Sequence, residues 1–482
     1  VSITAQALSK QGVKKGDRVA AFLPNLPDTI IFMLATTSLG ALWSSCSPDF
    51  GTQGVLDRFG QIKPKILIGV DGYFYNGKQI DTIHKLGEIA SSLESLKKVV
   101  VVSYTTSKPK IGAIKKSVHL KDFVKPFKPG PIKFEQVPFN HPLFIMFSSG
   151  TTGVPKCIVH GHGGTLLQHL KEHRLHTDLK IGDRFFYFTT CGWMMWNWLV
   201  TGLASGTTLL LFDGSPTYPK PDTLFDFADQ ERMTVFGTSA KYIDAINKLG
   251  VRPRKTHNLT HLTTITSTGS PLSPESFDYV YRHIKKDVLL SSIAGGTDII
   301  SCFVLGDPTL PVYRGEIQRR GFGLKVQVFN DQGKPITGEK GELVCTAPFP
   351  SMPIGFWNDK NDRKYLDAYF ANYKNTWCHG DFIEITKRGT LIIYGRSDAV
   401  LNPGGVRIGT SEIYRQVEKL DSVMESLVIG QNWQNDTRVV LFVRLRDGLK
   451  ITETLREEIK RTIRHNATPR HVPAKILQVA DI

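Results

Sequence analysis

Short apolar runs rich in β-branched residues recur along the chain, with stretches of helical spacing between them. Segments 18–22, 64–70, 99–103, 143–148, 207–212, 234–237, 262–268 and 288–293 read as strands. Segments 28–39, 165–176, 221–230 and 240–248 read as helices. Strands alternating with helices predict α/β units on mainly parallel sheets. From about Gly315 the texture changes to short strands with Gly-rich turns, such as Asp331-Gln332-Gly333 and Lys387-Arg388-Gly389, which predicts a β-rich subdomain. From about Asp398 a small α+β region is expected, with helices at 410–419 and 452–464 and a strand at 439–445. The expected domains are therefore 1–397 and 398–482. The most apolar stretch, from Ile30 to Trp43, is broken by Thr36, Thr37, Ser38 and Gly40 and reads as one buried helix. It is shorter than the roughly 18–20 apolar residues a membrane helix needs, so no membrane partner is expected. No internal repeat or low-complexity segment is visible.

The strongest local signal is Ser148-Ser149-Gly150-Thr151-Thr152-Gly153-Val154-Pro155-Lys156, directly after a predicted strand. Glycines let a backbone turn tightly and bring amide groups against phosphate oxygens. Hydroxyls add donors, and a terminal lysine supplies a positive point charge. Only two residues separate Gly150 from Gly153, and Pro155 precedes Lys156, so this is not a Walker loop.

The loop resembles the phosphate-binding loop of the adenylate-forming enzymes, which activate carboxylates as acyl-adenylates, and further blocks follow in that family's order. Thr268-Gly269-Ser270-Pro271 resembles the adenine-contact segment; a plain strand-to-helix turn is the alternative reading. In Ile293-Ala294-Gly295-Gly296-Thr297-Asp298, the resemblance implies that Thr297 meets the α-phosphate and that Asp298, where relatives carry Glu, helps hold Mg²⁺. Trp377-Cys378-His379-Gly380-Asp381 resembles the block whose aspartate accepts both ribose hydroxyls, here Asp381. Tyr394-Gly395-Arg396-Ser397-Asp398 implies a ribose or phosphate contact at Arg396 and the hinge at Asp398. In the block from Asn402 to Gly409, Arg407 is expected near the phosphates and Gly405 along the pantetheine path of CoA. Arg464 matches, more weakly, an arginine that meets the CoA nucleotide; a solvated surface arginine is the alternative. Glu412 reads as a structural residue at a helix start.

The chain is thus similar to acyl-CoA synthetases of the adenylate-forming (ANL-type) family. The resemblance implies a large domain of two α/β sheets plus the β-rich subdomain, followed by a small α+β lid. It implies ATP, Mg²⁺ and CoA, with Lys156, Thr297 and Arg407 as the catalytic residues. Trp193 sits where the family places an acyl-pocket wall, while Trp196 and Trp198 read as core. Acetyl-activating relatives carry a tryptophan at the position of Gly295, and removing an indole makes room for a longer acid. That favours a four-carbon keto acid, acetoacetate, over acetate. Another short carboxylate (acetate, propionate or butyrate) and a non-catalytic nucleotide-binding isoform are the alternatives. The family's lid rotates between half-reactions and presents a lysine after a Ser/Asn-Gly motif. The sequence ends at Ala480-Asp481-Ile482, before such a motif, and Gly77-Lys78 and Gly333-Lys334 lie in the large domain. The chain as given is expected to adenylate poorly. It also starts with Val inside a predicted helix, so native sequence is expected to precede it.

Composition changes this picture little. The 482 residues suit about three domain-sized cores. The net charge of +16 fits solubility or attraction of polyanionic small molecules. No basic run with interleaved aromatics supports nucleic acid. Six scattered cysteines without a C-x-x-C pair argue against a zinc site or a disulfide framework, and fit a reduced, cytosolic compartment. His169 and His173 share a helix face but lack a third ligand, and read as a solvated face. His160 and His162 read as local hydrogen-bonding residues.

Overall fold

The fold is seen in a computed structural model that describes residues 1–148, 154–399, 401, 408–433 and 436–482. An eight-stranded sheet runs in the order Gly355–Phe356, Lys156–Gly161, Pro142–Ser148, Leu42–Cys46, Arg18–Phe22, Ile66–Val70, Lys98–Val102, Ser117–His119. From Pro142–Ser148 onward its neighbours are parallel. Ile66–Val70 is buried at every position, because the sheet is covered on both faces and its inner strands need apolar side chains on both. A second sheet, wholly parallel, orders Thr208–Leu210, Arg184–Tyr187, Val235–Ser239, Thr264–Thr268 and Leu289–Ser292. Between its strands lie helices such as Ala240–Lys248, where the Ser239 hydroxyl caps the Tyr242 amide at 3.1 Å.

The β-rich part is a five-stranded antiparallel sheet: Pro335–Ile336, Val326–Phe329, Lys340–Cys345, Trp377–Ile385 and Leu391–Arg396. After residue 398 a three-stranded sheet (Val423–Trp433, Asp436–Leu445, Lys475–Gln478) packs with helices Thr410–Val417 and Glu453–Asn466 around its own core. Of its strands, sequence spacing picks out only the middle one.

Two expectations about single elements change. The apolar stretch from Ile30 to Trp43 is not one helix. Helix Pro27–Ser38 ends, Gly40 turns at φ +66, and Trp43 lies in strand Leu42–Cys46. Only a residue tolerant of the left-handed region allows that turn. The helix expected at 165–176 starts at His162 and loosens into a π-turn over Glu172–His176.

The segment after residue 398 is tied to the five-stranded sheet by charge. Glu412, at the start of helix Thr410–Val417, caps the Gly409 amide at 2.8 Å and pairs with Lys340 of the five-stranded sheet; His471 lies 3.7 Å away. Glu412 therefore supports its helix start, as its position in the sequence suggests. Burial raises its carboxyl, but the His471, Lys340 and Gly409 contacts outweigh this and push it down to about 2 from an ordinary 4.5. A folded-state pKa below the unfolded one gives stability that is fully present above pH 4.5 and lost as pH falls toward 2. Glu412→Gln is expected to flatten that acid limb, measured as urea midpoints at pH 7 and pH 3.

Candidate active site

The site lies where two sheets end. Strand Pro142–Ser148 runs into the loop that precedes Lys156, and Ser148 pairs in register with Lys156 across the hairpin. The carboxyl ends of strands in open α/β sheets are where ligands bind. Ser149, Gly150, Thr151, Thr152 and Gly153 lie outside the described residues, as do Gly405 and Arg407. The Ser148 hydroxyl is buried and finds no hydrogen-bond partner among the described residues.

Lys156 Nζ reaches Asp298 Oδ1 at 2.9 Å and lies 5.2 Å over the Tyr369 ring. The Tyr369 hydroxyl donates to the same carboxylate oxygen. Tyr369 in turn stacks on Trp377, with ring centroids 3.8 Å apart and planes at 14°. Burial pushes the Asp298 carboxyl up, yet the Lys156 and His379 charges and the Tyr369 and Lys156 hydrogen bonds prevail and hold it below its usual range. Asp298 is thus a half-buried, ionised carboxylate. Burial and the neighbouring Asp298 carboxylate push the Tyr369 phenol well above its usual value, so it stays a hydrogen donor.

Thr297 opens a single turn, Thr297–Ile299, between strands Ala294–Gly296 and Ser301–Leu305. Its carbonyl accepts from His160 Nε2 at 2.9 Å. Burial lowers His160 to about 4, so the ring is neutral near pH 7 and donates from Nε2. Gly295 lies in the strand before the turn. A Cβ there would stand 2.2 Å from the Ser301 carbonyl oxygen and 2.5 Å from Cys302 Cα. With the backbone paired as it is here, position 295 has no space for a side chain, apart from any room glycine leaves for an acyl chain.

The ribose block closes the other side. Asp381 Oδ1 is 3.2 Å from Arg396 Nη1, and Asp381 Oδ2 is 3.6 Å from His379 Nε2. Arg396 Nη1 also donates to the His379 carbonyl at 3.0 Å, and its Nε lies 3.6 Å from Asp398. Burial lowers the Arg396 guanidinium, but Asp381, Asp398 and Asp298 together raise it above its ordinary value. Gly380 makes room for this: its φ is +82, and a Cβ would stand 2.6 Å from Arg396 Nη2. Gly380→Ala is expected to cost about 1–3 kcal/mol from the forced backbone and to displace Arg396 from Asp381. Thermal unfolding and ATP calorimetry on the same samples check both effects.

Gly269 turns at φ +91 after strand Thr264–Thr268. The Thr268 hydroxyl donates to the Ile293 carbonyl at 2.9 Å, which joins this segment to the block that carries Thr297. Ser270 and Pro271 line a cleft of about 890 Å³ that Lys419, Glu425 and Arg444 of the C-terminal unit close from the other side.

Lys156 and Asp298 form one contact pair and Asp381 and Arg396 another, and Tyr369, Trp377 and His379 link the two. Trp193 and Arg464 stand apart. Trp193 precedes helix Met194–Thr201 and is 60% exposed, whereas Trp196 and Trp198 are fully buried, as expected of core residues. Arg464 is exposed on helix Glu453–Asn466. The expected solvated face at His169 and His173 is wrong. Both are fully buried: His169 bridges Thr201 and Ile300, and His173 packs edge-on to Trp198 with centroids 4.4 Å apart. Helical spacing cannot tell a buried polar face from a wet one, because the aromatic partners come from elsewhere in the chain. Sequence reasoning also missed Tyr369, which no motif marks. His379 lay unremarked inside the ribose block. Among the described residues no cluster of three or more His, Cys, Asp or Glu side chains suits a metal.

A carboxylate held ionised beside a lysine and a second carboxylate gripped by an arginine suit a nucleotide whose sugar and phosphates are bound at separate points. The AMP-binding enzyme family model matches residues 1–353, and the chain belongs to that family. Within it, the chain is 62% identical over 483 residues to acetoacetyl-coenzyme A synthetase of Rhizobium meliloti (strain 1021), spanning all of this chain and 74% of that protein. It is 50% identical to acetoacetyl-CoA synthetase of Gallus gallus, across all of this chain and 73% of that one. The solved acetoacetyl-CoA synthetase from Streptomyces lividans superposes with a TM-score of 0.93 at 43% identity, covering all of this chain and 73% of that structure.

Proposed function

We propose that the protein joins acetoacetate to CoA through an acetoacetyl-adenylate, with ATP converted to AMP and pyrophosphate. A carboxylate oxygen of acetoacetate attacks the α-phosphorus as the bond to pyrophosphate breaks. The CoA sulfur then attacks the acyl carbon, its proton leaves, and the bond to AMP breaks. The observation that carries this reading is the continuous contact path Lys156–Asp298–Tyr369–Trp377, with Asp381–Arg396 beside it.

Negative charge concentrates on the phosphates in the first step, so catalysis rests on positioning and cationic stabilisation. Lys156 supplies the charge at the end of the loop, and Thr297 holds the α-phosphate. Asp381 takes the ribose hydroxyls, and Arg396 keeps that carboxylate in place. Gly269, Ser270 and Pro271 flank the adenine, and Trp193 offers its open face to the acyl group.

Asp298 fits Mg²⁺: it is one ionised carboxylate next to the phosphate loop, and this ion typically binds one or two carboxylates plus phosphate oxygens and water. When bound, Mg²⁺ would neutralise charge on the polyphosphate. No helix among the described residues is long and apolar enough to cross a membrane. The six cysteines are buried and free, which favours the cytosol.

The test of substrate is AMP formation by the full-length protein with acetoacetate, acetate, propionate and butyrate at equal concentration. Acetoacetate is expected to give a kcat/KM at least about tenfold above the other three, the scale a few contacts in a shaped pocket can supply. Equal or better use of butyrate or acetate would assign a different acid.

A further inference from the structure

The turn that carries Thr297 and Asp298 is gripped from behind by side chains that no substrate can touch. It ends on Ile300, a β-branched residue at φ +47 and ψ 34 whose side chain is fully buried. Such residues are rarely found in the left-handed region, so something must hold the backbone there. The Ile300 carbonyl accepts from His169 Nε2 at 2.5 Å. On one side of it the Thr297 carbonyl is held by His160. On the other, the Cys302 amide donates to Glu172 Oε1 at 3.3 Å, and the Ser301 hydroxyl donates to the same oxygen. Gln168 Nε2 bonds both Ser301 Oγ, at 2.7 Å, and Glu172 Oε1, at 2.9 Å. Trp198 Nε1 secures the other oxygen of Glu172 at 2.8 Å. His160, Gln168, His169 and Glu172 are all buried. Gln168, His169 and Glu172 come from helix His162–Lys171 and the π-turn that continues it, a local widening that recurs at functional sites.

We propose that His169 is a positioning residue of the nucleotide site: by donating Nε2–H to the Ile300 carbonyl, it fixes the strained turn that presents Thr297 and Asp298. The tautomer follows from its neighbours. A carbonyl only accepts, so Nε2 carries the hydrogen. Burial disfavours the charged ring, so Nδ1 is the accepting nitrogen, and it faces the Thr201 hydroxyl at 2.9 Å, a group that also stands 2.9 Å from the Asn197 carbonyl and shares its one hydrogen between the two. Thr201, on helix Met194–Thr201, therefore sets the ring that sets the turn.

The inference rests on Asp298 and Thr297 serving MgATP, and the experiment separates the two claims. In the full-length protein, MgATP affinity is measured by calorimetry, and kcat and KM by AMP formation, for His169→Leu, His169→Gln, Thr201→Val and Asp298→Asn. Thermal midpoints are recorded for all four. Glutamine places an amide N–H close to where Nε2 stands; leucine removes the donor. His169→Leu is expected to weaken MgATP binding about 10–100-fold, the usual effect of losing an outer-shell partner, while His169→Gln recovers most of it. Thr201→Val weakens it in the same direction by less, and carries the test if the leucine variant does not fold. Wild-type MgATP affinity in both His169→Leu and Thr201→Val, or losses in the leucine and glutamine variants that merely track their thermal midpoints, would overturn the assignment. If Asp298→Asn also binds MgATP normally, the reading of the site itself fails.

Discussion

Lys156→Ala in the full-length protein is expected to lower acetoacetate-dependent AMP formation by about 10²–10³-fold, the scale of losing one preorganised charge-stabilising donor. The loss should fall mainly on kcat, because the ammonium acts where charge builds up at the α-phosphorus. Lys156→Arg is not expected to restore the rate. A planar fork cannot replace a compact ammonium wedged between the Asp298 carboxylate and the Tyr369 and Phe356 rings. The alanine variant also leaves the half-buried Asp298 without its strongest counter-charge, so its carboxyl should titrate higher. The measurement is steady-state AMP release at saturating acetoacetate and CoA across a range of ATP. An alanine variant within a few-fold of wild type would remove Lys156 from the chemistry.

The second large effect is on stability. Trp377 is 1% exposed, stacks on Tyr369 and meets Phe349 and Phe370 edge-on at 5.6 and 5.9 Å. Trp377→Ala is expected to destabilise the protein by about 3–5 kcal/mol, from lost apolar transfer plus the cavity left among rings that cannot collapse. Trp377→Phe keeps an aromatic face against Tyr369 and should lose far less. The two variants should also differ in ATP affinity, since Trp377 sets the Tyr369 ring whose hydroxyl holds Asp298. Denaturant unfolding followed by tryptophan fluorescence, alongside ATP calorimetry, reads both. An alanine variant with an unshifted midpoint would contradict the packing described for this sheet.

Much of this was legible in the chain because glycines and charged residues sit where chemistry leaves few substitutes. Strand Arg18–Phe22 and helix Ala240–Lys248 coincide with their predicted bounds, since local spacing and capping decide them. Lys156 pairs with Asp298, and Asp381 with Arg396, four residues that the motifs single out. What stayed hidden depends on partners distant in sequence. Tyr369 matters only because Trp377 and Asp298 fold against it. His169 and His173 read as a wet helix face until Ile300, Thr201 and Trp198 cover them. Gly295, read from the sequence as space for an acyl chain, is also fixed by the Ser301 carbonyl across the hairpin. The break after Ser38 was missed because apolar content continues unchanged through Gly40 while the backbone reverses.

The most direct test is a crystal structure of the full-length protein with an acetoacetyl-adenylate analogue. Both ribose hydroxyls should lie on the Asp381 carboxylate, with the phosphate between Lys156 and Thr297 and the acyl group directed toward Trp193. Nucleotide bound at any other place, with Lys156 still closed on Asp298 and Asp381 held only by Arg396 and His379, would contradict the account.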